Sequence, residues 1–272
     1  MERNYQLLKD VLSVPTKTYN EGLMVEFITN WLSENNIPFY IDEYQNIYAT
    51  KQTFEVEYFP CVIAHTDTVH NIDTINVREE NLKNAQGEIK PALKAYNDLG
   101  NPTGIGGDDK CGVYACLELL KELPNLKAGF FVSEETGCHG SKNADPEFFK
   151  NVGYAIQFDA PENWMVSEYC MGVKLFDRES DFFKSCDFVI NENFNGRQLY
   201  QAHPYTDVYK LKQIFNFSCI NFSIGYYDYH TKYEYVIIED VYSGIKTGKE
   251  MIEKLGYQKY TLEYEQSTYN FY

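Results

Sequence analysis

Three stretches of the chain carry apolar residues at helical spacing. Behind Asn20, placed as an N-cap, Met24, Phe27, Ile28, Trp31 and Leu32 line one face of an amphipathic helix. Val113, Cys116, Leu117 and Leu120 repeat the pattern, and so do Val241, Ile245, Ile252 and Leu255. Between them lie the short apolar runs Cys61–Ala64, Gly129–Val132, Tyr154–Phe158 and Cys219–Ile224. Bounded by polar loops, such runs suit strands buried on both faces. Strands alternating with helices predict an α/β fold, three-layer αβα with a mostly parallel central sheet. The stretch from Thr66 to Gly107 lacks clear periodicity and closes on the turn-rich Asn97–Gly104, so it reads as a long functional loop. No internal repeat or low-complexity linker interrupts the chain. The Tyr-rich tail beyond Gly256 fits an edge strand or a partner surface equally well.

Composition narrows the function classes. The 272 residues include 24 Lys and Arg against 40 Asp and Glu, a formal charge of −16. That balance opposes binding to nucleic acid or an anionic membrane, where phosphate contacts need basic side chains. No apolar run approaches the ~20 residues of a membrane span, and Met1–Asn4 opens a charged segment unlike a signal peptide. A cytoplasmic location is the expectation. The seven cysteines are scattered without a Cys-x-x-Cys pair, which points to buried reduced thiols rather than a zinc knuckle or disulfides.

The chemistry sits where the apolar runs end. Cys61–Ala64 leads into His65-Thr66-Asp67, Gly129–Val132 into Ser133-Glu134-Glu135, Tyr154–Phe158 into Asp159, and Cys219–Ile224 into a segment ending at His230. In open parallel sheets, sites form beyond the carboxyl ends of the strands. A fifth element, Gly104-Ile105-Gly106-Gly107-Asp108-Asp109-Lys110, precedes the second helix, whose N-terminus favours negative charge. Taken singly, each is better explained by a solvated turn, a cap or a core-edge pair. Taken together, two His and several carboxylates without Cys suit Zn²⁺, with Co²⁺ or Mn²⁺ as substitutes. A carboxylate shared by two metals and a second one left free as general base would make a hydrolytic site.

The blocks His65-Thr66-Asp67-Thr68-Val69, Gly107-Asp108-Asp109-Lys110-Cys111-Gly112, Ser133-Glu134-Glu135-Thr136-Gly137 and Tyr229-His230-Thr231-x-x-Glu234 resemble, in order, those of the dinuclear zinc exopeptidases related to peptidase T, carboxypeptidase G and aminoacylase. The resemblance implies a zinc-exopeptidase (phosphorylase/hydrolase-like) fold and two Zn²⁺. It makes His65, Asp108, Glu135, Asp159 and His230 the metal ligands, with Asp108 bridging because the family's bridging Asp stands two residues before the Lys. It makes Glu134 the general base and has Asp67 orient a ligand from behind. It further implies a cis peptide between Asp108 and Asp109. The implied activity is hydrolysis of small peptides by an aminopeptidase or dipeptidase. A deacylase acting on an N-acyl amino acid, or a non-catalytic metal- or peptide-binding homologue, is the alternative.

One departure stands out. Relatives insert a lid or dimerisation domain between the last two ligands, yet here only about Pro161 to Tyr205 remains, too little to fold alone. The chain is therefore expected to be one catalytic domain, 1–272, with 161–205 a reduced remnant, and to act as a monomer. The lid of relatives supplies an oxyanion-binding His and a carboxylate-binding Arg; His203 or His139, and Arg197, are the candidates to replace them. His70 is expected to be a solvated histidine without a role. With four Arg in the chain (3, 78, 178 and 197), recognition of a substrate amine fits better than capture of a carboxylate.

Overall fold

A computed structural model describes residues 4–83, 87–193, 198–200 (backbone only) and 205–263. The elements are, in order, α1 (Tyr5–Ser13), α2 (Gly22–Glu34), β1 (Phe39–Ile41), β2 (Ile47–Lys51), β3 (Phe59–His65), β4 (Asn76–Lys83), β5 (Ile89–Tyr96), β6 (Pro102–Thr103) and α3 (Gly107–Glu122). There follow β7 (Leu126–Phe131), α4 (His139–Lys142), α5 (Pro146–Phe149), β8 (Val152–Ala160), β9 (Met165–Ser167), β10 (Tyr169–Cys170), β11 (Val173–Lys174) and α6 (Asp181–Asn193). The last are β12 (Gln198–Tyr200), α7 (Asp207–Ile214), β13 (Ser218–Ser223), β14 (Tyr226–Tyr227), β15 (Tyr235–Ile237) and α8 (Ile238–Leu255).

The expected three-layer αβα architecture is present. Among the described residues the main sheet has eight strands in the order β1-β2-β7-β3-β8-β13-β9-β12. Its centre, β7-β3-β8-β13, is wholly parallel. Every residue of β3, β7, β8 and β13 is buried, as strands covered on both faces must be. Helix α3 lies across β3 and β8 and carries α1 and α8 beside it; α7 also packs on β3, β8 and β13, with α4 against it. The three predicted helices correspond to α2, α3 and α8. Met24, Ile28 and Leu32 are buried in α2, as are Val113, Cys116, Leu117 and Leu120 in α3 and Val241, Ile245, Ile252 and Leu255 in α8. All seven cysteines are buried, and none is in a disulfide.

Three sequence expectations need correction. The residue preceding α2 is Glu21, not Asn20, and no side chain caps the helix; Asn20 instead pairs with Lys17 in a short bridge. Strand β7 starts at Leu126, earlier than the apolar run, because Lys127 sits buried within it and gives its ammonium to the Phe148 carbonyl and the Asn151 side chain. The stretch from Thr66 to Gly107 is not a plain loop. It holds β4, β5 and β6, which join β14 and β15 in a second, smaller sheet. β4 mixes exposed and half-buried positions and is dense in charge (Arg78, Glu79, Glu80), so no apolar run marks it.

Within 161–205, β9 and β12 pair in parallel at the edge of the main sheet, and α6 packs on α8. His203 and Arg197 lie outside the described residues. No helix among those described is long and apolar enough to cross a membrane.

Candidate metal centre

Five of the elements deliver the predicted ligands to one place. His65 is the last residue of β3, and its imidazole is buried. Its Nδ1 faces the carbonyl oxygen of Asp67 at 3.0 Å and the Asp67 carboxylate at 3.3 Å, which leaves Nε2 to face forward. Asp67 does more than orient the ring. It accepts the N–H groups of Glu134 at 2.9 Å and Glu135 at 3.3 Å, and the Thr18 hydroxyl at 2.8 Å. The loop after β3 is thereby tied to the loop after β7. Ser133, at φ 54°, turns that second loop, and Glu21 holds it by accepting the Ser133 N–H and hydroxyl.

Asp108 stands between the two histidines. Its Oδ1 is 3.2 Å from His65 Nε2 and its Oδ2 is 3.3 Å from His230 Nε2. On the His65 side, Asp159 Oδ1 lies 3.9 Å from Nε2; on the other, Glu135 Oε2 lies 3.1 Å from His230 Nε2. Glu134 Oε2 is 3.9 Å from His65 Nε2, beside the cluster. Ligand atoms of His65, Asp108 and Glu135 all fall within 4.8 Å of one another. The peptide joining Asp108 to Asp109 is cis.

Asp109, the neighbouring carboxylate, points elsewhere. It is fully buried and accepts the His65 N–H at 3.0 Å and the Gly112 N–H at 3.1 Å, so it fastens the end of β3 to the first turn of α3. Asp159 is held by Asn221, which accepts its N–H and donates to its carbonyl, both at 2.8 Å. Gln157 Nε2 lies 3.3 Å from Asp159 Oδ2 while its Oε1 accepts from Thr206 and Val208 at the start of α7. Gln157 received no role from the sequence. Its signal was there, as a polar residue inside an apolar strand, two positions and hence one face-repeat before Asp159.

Burial and the crowding of carboxylates set the electrostatics of the cluster. Burial pushes the Glu134 carboxyl up to about 8, against the pull of His65 and with Asp207 and Glu135 adding to the rise. Burial likewise drives Asp159 well above the carboxylate range, reinforced by Asp108. For Asp108 burial is outweighed by the hydrogen bonds to His230 and His65, and its carboxyl is lowered. Those to Asp108 and Glu135 raise His230 to about 10. Glu135 Oε1 is buried without a hydrogen-bond partner, a costly state for a carboxylate oxygen unless a cation completes it. An N/O donor set without sulfur, a carboxylate with one oxygen toward each histidine and this orphaned oxygen together fit divalent ions such as zinc.

Two other predicted residues are placed differently from each other. His139 is exposed, with its ring 6.5 Å from that of Tyr19, also exposed. His70, expected to be solvated, is part-buried and its Nε2 is 2.6 Å from Glu234. The reason is Glu234 itself, a buried carboxylate whose partners could not be read from spacing.

No protein-family model matches the chain, and no curated protein matches it. Solved structures do. An aminopeptidase PepT from Bacillus cereus aligns with a TM-score of 0.77 at 12% identity, over 93% of this chain and 99% of the other. A tripeptidase from Staphylococcus aureus gives 0.70 at 14%, over 92% and 98%. An aminopeptidase from the archaeon Desulfurococcus kamchatkensis gives 0.66 at 12%, over 92% and 94%. The chain thus shares the fold of solved peptidase structures.

Proposed function

We propose that the protein is a metal-dependent exopeptidase of the aminopeptidase or dipeptidase kind, with two zinc ions and Glu134 as general base. The observation that carries this reading is the Asp108 carboxylate. One oxygen faces His65 and the other His230, while Glu134 stands beside them. His65, Asp108 and Asp159 would hold one ion; Asp108, Glu135 and His230 the other. Bound there, the ions would polarise the scissile carbonyl and lower the pKa of the attacking water. Glu134 would take a proton from that water as its oxygen bonds to the carbonyl carbon. It would return the proton to the amine nitrogen as the C–N bond breaks. Asp67 keeps His65 Nε2 facing forward and fixes the Glu134 backbone in the same network.

The substrate reading rests on charge. The chain carries −16, which favours a substrate bearing a free amine. Of the arginines in the described residues, Arg78 lies over the Tyr96 ring at 4.8 Å and Arg178 is paired with Glu168, so both are engaged. The fold neighbours described as aminopeptidases and a tripeptidase support the same class. We take the chain to work as a single catalytic domain, with 161–205 in the place of a lid. A panel of dipeptides, either N-acylated or C-amidated, tests the substrate class. Cleavage of the C-amidated set with loss of activity on the N-acylated set is expected. Cleavage of the N-acylated set alone would overturn amine recognition and favour a deacylase.

A further inference from the structure

The loop that carries Asp108 is gripped from outside the ligand set. Glu234 is buried, and its two oxygens divide their work. Oε1 accepts the Asp108 N–H at 3.1 Å; Oε2 accepts the Gly106 N–H at 2.9 Å and faces His70 Nε2 at 2.6 Å. His70 lies close against the same loop, where a Cβ on Gly104 would stand 1.9 Å from the ring. Its own N–H reaches Thr68 Oγ1 at 3.3 Å, and that hydroxyl donates to the Thr16 carbonyl at 2.6 Å. Three ligand-bearing segments therefore meet at one carboxylate. His70 comes from the loop after His65, Gly106 and Asp108 from the start of α3, and Glu234 from the segment after His230.

We propose that His70 and Glu234 are a positioning pair for the metal centre. Glu234 fixes the backbone of Asp108 so that its two oxygens are presented to opposite sides, and the His70 ring N–H holds Glu234 in that orientation. The inference rests on the reading of Asp108 as the shared ligand. Partners placed behind metal ligands typically change metal affinity by about 10–100-fold when removed. A donor bond to a carboxylate is directional, so a residue that keeps the N–H should keep the affinity, whereas one that only fills space should not.

Co²⁺ alone is the probe, titrated into metal-free full-length protein and followed by its visible absorption and by calorimetry. His70→Leu is expected to weaken binding by about 10–100-fold. His70→Gln, which keeps an N–H toward Glu234, should recover most of the loss. Should His70→Leu fail to fold, His70→Phe, a ring without a donor, takes its place with the same expectations. Binding by the donor-free variant equal to wild type overturns the inference alone. Equal weakening by that variant and the Gln variant also overturns it, since packing would then explain the loss. Failure of the wild type to bind Co²⁺ overturns both the inference and the metal reading beneath it.

Discussion

At the residue scale the site is a contest between burial and pairing. Glu134 is shifted from 4.5 up to about 8, chiefly by burial, and His230 from 6.5 up to about 10, chiefly by its bond to Asp108. Both values are raised in the folded chain. The stability they contribute is therefore full below their unfolded values and lost as pH climbs through the folded ones. Asp67 and Asp108 are lowered and run the other way, losing their contribution as pH falls below the usual carboxylate range. The metal-free protein is accordingly expected to unfold at progressively lower temperature from about pH 5 to pH 10. Saturating zinc should flatten that slope above neutrality, because metal binding requires deprotonated ligands. Calorimetric scans with and without chelator check this; a flat or rising profile without metal would contradict it. Much of this residue-level detail was legible in the sequence. His65, Glu135, Asp159 and His230 converge from strand ends and the segments that follow strands, and Asp108 joins them from the start of α3. Glu234, His70 and Gln157 did not announce their partners, because hydrogen bonds across long separations leave no local pattern.

At the element scale, the first turn of α3 is built around two adjacent acids with different work. Asp108 faces the histidines, whereas Asp109 reaches back to the N–H groups of His65 and Gly112. That contact explains the glycine. A Cβ at position 112 would lie 2.1 Å from Asp109 Oδ1. Ala exceeds Gly in helix propensity by about 1 kcal/mol, but forcing atoms into a packed site costs about 1–3 kcal/mol. Gly112→Ala is expected to destabilise the protein, read as a lower midpoint in urea. A higher midpoint would show that propensity wins and that Asp109 has room to move. The helices and parallel strands were legible because apolar residues mark them in periods and runs. The smaller sheet was not: β4 is charged and half-exposed, and its pairing with β5 is visible only in three dimensions.

At the scale of the whole molecule, the parallel centre of the sheet decides where chemistry can occur. β3, β7 and β8 run side by side, so His65, Glu134–Glu135 and Asp159 emerge at the same edge. The short connection through β14 brings His230 to that edge, and α3 adds Asp108. The interval 161–205 contributes β9 and β12 to the main sheet and α6 to the layer beside α8. A two-metal centre worked by a base that is not a ligand is what the proposed function requires. Zinc titration of wild type and Glu134→Gln, with turnover measured on the same samples, tests it most directly. Two zinc ions per chain in both proteins are predicted, with kcat in the variant lower by about 10²–10⁴-fold. Binding of fewer than two ions by the wild type, or full activity in the variant, would contradict it.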